Sequence, residues 1–200
     1  VIKFKTYLAE AETRKPVVFA FGRMNPPTAG HQVLVDKVHE LAKRHGAHHE
    51  VVLSHSQDAK KNPLSAEEKL KHARRAFPKT NISVASSEEP TFVHHLKRLH
   101  AAGYTDLHMV AGSDRVKDYH DIVHKYNGKP DHWNFKHIQV HSAGERDPDA
   151  EGATGMSASK MRAHAASGNI GDFKKGTPSS MSDKHSSEMY HAVRRGMGVK

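Results

Sequence analysis

The sequence contains no cysteine, which excludes disulfides and thiolate metal sites and fits a reducing compartment. No apolar run approaches the ~20 residues of a membrane span, and no secretory h-region is present. A cytoplasmic setting without membrane association is therefore expected. Aromatic residues make up only 6% of the chain, and none interleave with basic residues in the pattern of an RNA-recognition motif. That argues against sequence-specific reading of nucleic acid. Neither a His-Glu-x-x-His pair nor another spacing that demands zinc occurs, so no metal site built from the protein's own ligands is expected. Internal repeats and sizeable low-complexity tracts are also lacking.

What is present is positive charge. Lysine and arginine number 31 against 22 acidic residues, a formal balance of +9, and 19 histidines add a reserve that titrates near ~6.5. Such a balance favours polyanions: nucleotides, or non-specific association with DNA, including packed DNA. With histidine this abundant, pairs such as His48–His49 and His94–His95 are expected by chance and read as surface or core residues. Two hundred residues suit one domain with a core that needs no covalent staple.

The chain is organised around residues 17–31, VVFAFGRMNPPTAGH. Residues 17–21 form a short apolar, β-rich run suited to a buried strand. Gly22 permits a turn, and Pro26 and Pro27 forbid helix and ladder pairing across the loop. Thr28 can cap a new helix, and Gly30 leaves room for a ligand to approach the backbone. His31 stands in the first turn of that helix, where orphan N–H groups and the dipole favour an anion. The combination describes a phosphate site.

Periodicity predicts a helix over 31–45, ended by Gly46, and a second strand at 51–53. Ser65 followed by Glu68 is a capping-box pattern, placing a helix over 66–77. Lys60 and Lys61 precede it, at the carboxyl end of the second strand, where open parallel sheets bind ligands. A strand at 82–85, a helix at 91–101, a strand at 107–111, a helix at 115–126 and a strand at 135–140 follow. Gly112-Ser113-Asp114 sits at a strand's carboxyl end, where Asp114 can bond a ribose, hold a metal-bound water or cap the next helix. Residues 144–155 read as a glycine-rich mobile loop beside the site. Ser157 opens a helix over 157–165 that gathers Ser157, Ser159 and Arg162 near one N-terminus, a set suited to a polyphosphate. The expected organisation is an arm or leader at 1–15, one domain at 16–175, and, within 176–200, a Gly/Pro/Ser-rich linker at 176–184 and a last helix at 187–195 with Met189, Tyr190 and Val193 on its apolar side. The expected fold is α/β and Rossmann-like, with about five mostly parallel strands flanked by helices.

The same residues carry a resemblance. GRMNPPTAGH, residues 22–31, resembles the G-x-F/M-x-P-x-H/T-x-G-H signature of the nucleotidyltransferase superfamily that includes the nicotinamide-nucleotide and phosphopantetheine adenylyltransferases. MSASKMR, residues 156–162, is similar to its second signature, I-S-S/G-T-x-x-R. Thr28 stands where many members have the first histidine; phosphopantetheine adenylyltransferases also carry threonine there. The resemblance implies transfer of AMP from ATP, with Mg2+, to a phosphate-bearing acceptor and release of pyrophosphate. By that resemblance His31 and Thr28 serve the α-phosphate, and Lys60 or Lys61 and Arg162 the β- and γ-phosphates, with Ser157 and Ser159 alongside. Gly22, Gly30 and Gly112 shape the nucleotide site, Asp114 contacts ribose or magnesium-bound water, and Arg23 holds a phosphate-bearing substrate. The loops look most like those of archaeal-type nicotinamide-nucleotide adenylyltransferases, which makes nicotinamide mononucleotide the first acceptor. Phosphopantetheine or cytidylyl-accepting alcohol phosphates are the alternatives. A second reading is non-enzymatic: VIKFKTYLAEA resembles the capsid-targeting leaders of T-even-like phage head proteins, cut after Leu/Ile-x-Glu, here Leu8-Ala9-Glu10. It implies capsid association and packaging inside a phage head.

Overall fold

The protein is described by a computed structural model over residues 14–144 and 155–199. The leader-like segment and its Leu8-Ala9-Glu10 site, and nearly all of the loop expected at 144–155, lie outside the described residues.

The first strand, β1 (Pro16–Gly22), is the centre of the sheet. Val17, Val18, Phe19 and Ala20 are buried on both faces, the continuous apolar run that a central parallel strand requires. Helix α1 (Ala29–His45) leads to β2 (His48–Leu53), α2 (Ala66–Ala76) to β3 (Ile82–Val84), and α3 (Phe92–Ala101) to β4 (Asp106–Ala111). A 3-10 turn (Ser113–Arg115) and α4 (Val116–Tyr126) precede β5 (His137–Ser142). Three helices follow: α5 (Ala158–Ala166), α6 (Ile170–Lys175) and α7 (Asp183–Gly196). The five strands pair entirely in parallel, in the order β3-β2-β1-β4-β5. This is the Rossmann-like α/β fold expected.

Alternation along the strands divides the core in two. Val18, Ala20, Val51, Leu53 and Val110 pack with residues of α1, α2, α5, α6 and α7. Val17, Phe19, Val52, Leu107 and Met109 pack with α3, α4, Trp133 and Phe135 on the opposite face. The chain steps outward from β1 through β2 to β3, then returns to β4 on the other side of β1. Between β1 and β4 the winding reverses, and a crevice opens at the carboxyl ends of the strands.

Several boundaries differ from the sequence reading. The fifth strand was expected at 135–140, but pairing begins at Asp106↔His137 and runs to Ser142. Phe135 is buried ahead of the strand, its N–H donating to Asn127 Oδ1 at 2.9 Å and its carbonyl accepting from Asn127 Nδ2 at 3.1 Å. A side chain thus takes the backbone groups that the ladder would have used. Helix α6 was not anticipated. Residues 176–184 read as a linker, yet the Gly176 carbonyl accepts the Ala29 N–H at 2.8 Å, Ser180 bonds the Ala76 carbonyl, and Met181 is buried. Ser182 caps α7 by accepting from the His185 N–H, so that helix starts earlier than the apolar pattern from 187 suggested. At the other end of the described chain, Arg14 forms an ion pair with buried Asp106, and Lys15 brackets Thr105 through its N–H and carbonyl. Among the described residues no helix is long and apolar enough to cross a membrane.

Candidate active site

A cleft of about 620 Å³ occupies the crevice where β1 and β4 end. Gly22, Arg23, Gly30 and His31 come to it from the first motif, Lys61 from the loop after β2, Gly112 and Asp114 from the end of β4, and Ser157, Ser159 and Arg162 from α5. Ten of the residues singled out in the sequence therefore meet in one place. Two do not. Lys60 is exposed and lies outside the lining, which assigns the cleft-facing position to Lys61. Both lysines donate their backbone N–H to Asp58 Oδ1, at 2.9 and 2.6 Å, and the turn they share presents only the second inward. Those N–H groups, the Lys61 one foremost, hold the Asp58 carboxyl below its usual pKa.

Thr28 is the other exception. It is fully buried behind the cleft rather than facing it. Its backbone N–H donates to His31 Nδ1 at 3.0 Å, and its Oγ1 lies 3.0 Å from the same nitrogen. A backbone N–H can only donate, so Nδ1 is the acceptor and the proton of the neutral ring sits on Nε2. Thr28 thus sets the tautomer and orientation of His31.

Gly30 also has a different task from the one its position suggested. A Cβ there would lie 2.6 Å from the Met156 carbonyl oxygen. The missing side chain lets the second motif close on the first, in addition to leaving space at the cleft wall. Gly112 plays a comparable part, since a Cβ would stand 2.8 Å from Asp114 Oδ1. Asp114 does not cap α4, whose N-cap position is Arg115 with no side-chain cap bond.

Arg162 is held on two sides. Its Nη1 donates to the Asn25 carbonyl at 2.8 Å and its Nη2 to Ser159 Oγ at 3.0 Å. Burial, and then the like charge of Arg23, lower its pKa from the ordinary arginine value, opposed by Asp58. Ser157 Oγ accepts the Lys160 N–H at 3.1 Å as the cap of α5. Each serine oxygen is an acceptor in these bonds and retains its own O–H to donate outward.

Four groups were not found from sequence. Asn25 is buried; its Nδ2 donates to the Leu64 carbonyl at 3.1 Å and its Oδ1 accepts the Leu64 N–H at 3.0 Å. With Arg162 on its carbonyl, this one residue joins the first motif, the Lys61 loop and α5. Met24, beside it, is also buried, with φ at 40°, a left-handed conformation that costs a non-glycine residue ~1 kcal/mol or more. Arg115 and Tyr119 line the far side, with the guanidinium 6.0 Å from the ring centre. Burial raises the Tyr119 pKa, and its hydroxyl lies 3.5 Å from the Phe21 carbonyl. Among these, only the asparagine ahead of a Pro-Pro pair offered any local signal.

The cleft has two characters. Arg23, Lys61 and Arg162 make one part cationic, with the neutral His31 ring as a donor beside them, a set suited to a polyphosphate. Phe21, Val33, Leu34 and Ala143, with Tyr119, make the other apolar. Val33 is the exposed large hydrophobic side chain among the described residues.

Comparison with known proteins identifies the family. Residues 19–164 match a family model described as cytidylyltransferase-like. That match covers most of the chain: the protein belongs to the cytidylyltransferase-like family and is a nucleotidyltransferase. A search of curated protein sequences finds no match. Among solved structures, a protein described as a nicotinate-nucleotide adenylyltransferase from Vibrio parahaemolyticus superposes with a TM-score of 0.54 at 12% identity, covering 88% of this chain and 98% of that one. The Plasmodium falciparum nicotinic acid mononucleotide adenylyltransferase, complexed with NaAD, gives 0.56 at 16% identity, over 92% and 98% of the two chains. Thermotoga maritima TmcAL, bound with alpha-thio ATP, gives 0.53 at 12% identity, over 92% of this chain and 56% of that one. At these identities the likeness is one of fold.

Proposed function

We propose that the protein transfers AMP from ATP to a phosphate-bearing acceptor, nicotinamide mononucleotide first, with release of pyrophosphate. The observation that carries this reading is the Thr28-oriented His31 set in one cleft with Lys61 and Arg162. An acceptor phosphate oxygen attacks the α-phosphorus; the bond from that phosphorus to the bridging oxygen breaks, and pyrophosphate departs with the electron pair. No protein nucleophile is needed, so the side chains bind, align and stabilise charge. His31 Nε2–H donates to the α-phosphate as negative charge develops. Lys61 and Arg162 hold the β- and γ-phosphates, assisted by the hydroxyls of Ser157 and Ser159. Arg23 steadies a phosphate at the floor. Mg2+ would enter as part of the triphosphate substrate, and Asp114 would meet the ribose or a magnesium-bound water.

The apolar part of the cleft supports an acceptor that carries an aromatic base. Phe21, Val33 and Tyr119 offer a surface for one, whereas a polyol phosphate would gain nothing from them. The family description keeps CTP as the alternative donor. The test is pyrophosphate release with ATP or CTP against nicotinamide mononucleotide, nicotinate mononucleotide, phosphopantetheine and alcohol phosphates. Turnover with ATP and a pyridine mononucleotide is expected; turnover restricted to CTP and an alcohol phosphate replaces this reading with a cytidylyl one.

A further inference from the structure

Lys69, in the first turns of α2, is the lysine among the described residues whose side chain is wholly buried. A buried ammonium is normally matched by a carboxylate, because removing the ion from water costs several kcal/mol. Here its Nζ donates instead to two backbone carbonyls, Ser54 at 2.5 Å and Ser56 at 3.2 Å. No carboxylate acts on it: burial first, then the like charge of Arg23, lower its pKa to about 8.

The two carbonyls lie in the segment that runs from β2 towards the turn bearing Lys61. Ser54 donates its own N–H to the Gly22 carbonyl at 2.8 Å, and its Oγ lies 3.1 Å from Ser56 Oγ. Lys69 is therefore one bond removed from the floor of the cleft, through Ser54, without lining the cleft. Its charge and that of Arg23 stand in unfavourable proximity, and an anion bound against Arg23 would relieve both. The remaining groups around it do not supply one. Glu68 is engaged with the Ser65 N–H and with Arg195, and His72, further along α2, is buried with a pKa lowered to about 4. The β2 segment presents only carbonyls to the ammonium.

We propose that Lys69 is a positioning residue for polyphosphate binding, fixing the segment after β2 against Gly22 and holding a buried positive charge behind Arg23 that a bound triphosphate compensates. This rests on the reading of the cleft as a triphosphate site. A bound polyanion favours the charged lysine, so binding and protonation are linked, and affinity falls as pH rises through the lysine's own titration.

The test is calorimetric titration with Mg·ATP between about pH 7 and pH 9, in wild type and in Lys69→Met, Lys69→Arg and Lys61→Ala, with a melting curve for each. Wild type should lose affinity severalfold across that range and take up a proton fraction on binding. Lys69→Met should bind about tenfold more weakly at the low end and show no slope, and its melting curve separates that loss of binding from a loss of the fold. Lys69→Arg keeps its charge throughout and should also lose the slope; with the wild-type profile it decides the matter if Lys69→Met does not fold. Lys61→Ala should bind more weakly at every pH and retain the slope. A flat wild-type profile, or Lys69→Met binding like wild type, overturns the proposal for Lys69 while a weakened Lys61→Ala leaves the triphosphate site standing. Should wild type and Lys61→Ala bind Mg·ATP equally, or neither bind at all, the reading of the cleft fails and this proposal with it.

Discussion

In the proposed reaction His31 acts through a nitrogen whose protonation is decided by another residue. Because the Thr28 N–H occupies Nδ1, the ring presents a donor where an α-phosphate would develop charge. His31→Ala removes that donor and should lower turnover ~10²-fold or more with little change in melting, the usual effect of losing one transition-state contact. Steady-state kinetics with turnover within a factor of two of wild type would take His31 out of the mechanism. Arg162 differs, since its guanidinium already spends two nitrogens on Asn25 and Ser159. An ammonium is a single point donor and does not reproduce the planar fork that spans both acceptors and leaves an edge for a phosphate. Arg162→Lys should therefore bind ATP more weakly than wild type but better than Arg162→Ala. Equal calorimetric affinity in all three would reduce Arg162 to a structural tie.

Among the elements, α7 is the least obvious participant. Met189, Tyr190, Ala192 and Val193 are buried in the same cluster as Val18, Val38 and Leu53. The cluster also holds Met161 and Ala165 of α5, so the last helix backs the one that carries Arg162. Arg194 extends the contact by donating to the Ala165 carbonyl at 2.5 Å. Met189→Ala, at a fully buried position, should cost about 2–5 kcal/mol in urea unfolding. A loss below ~1 kcal/mol would instead describe a helix that merely rests on the surface.

For the whole molecule, the abundance of histidine sets the response to acid. Burial, followed by Lys71 and Arg75, lowers the His72 pKa to about 4, and burial followed by His45 and His141 does the same for His108. His108 Nδ1 lies 3.1 Å from His141 Nε2, with the His45 ring stacked on it at 4.0 Å. Both histidines are neutral when folded, whereas the unfolded chain takes up protons below its ordinary value of ~6.5. The unfolded state therefore binds more protons between that value and about 4, and stability falls as pH falls through the window. Each contributes about 2 kcal/mol of loss between pH 7 and pH 5. Urea midpoints should drop steadily over that interval; unchanged midpoints would mean that neither histidine is buried in solution.

Legibility in the sequence follows the range over which each feature is determined. The apolar run of β1, the helical spacing of α1, the Ser65–Glu68 box and the two phosphate motifs are local patterns, governed by backbone sterics, capping and burial within a few residues. The alternation of strand and helix then left few topologies, and the parallel sheet follows from short right-handed crossovers. The family and the nucleotidyl-transfer chemistry were legible for the same reason, since most of the cleft-lining residues of the two motifs lie close together in sequence. Tertiary structure alone decided what joins those loops. Asn25 meets Leu64 across 39 residues and Arg162 across 137, and no periodicity announces either contact. It also turned Thr28 inward, chose Lys61 over Lys60, buried Lys69, and moved the fifth strand past Phe135, whose backbone Asn127 had already satisfied. The N-terminal half of the site is encoded where it is made; its alignment with α5 depends on packing that only the complete sheet and the helices behind it supply.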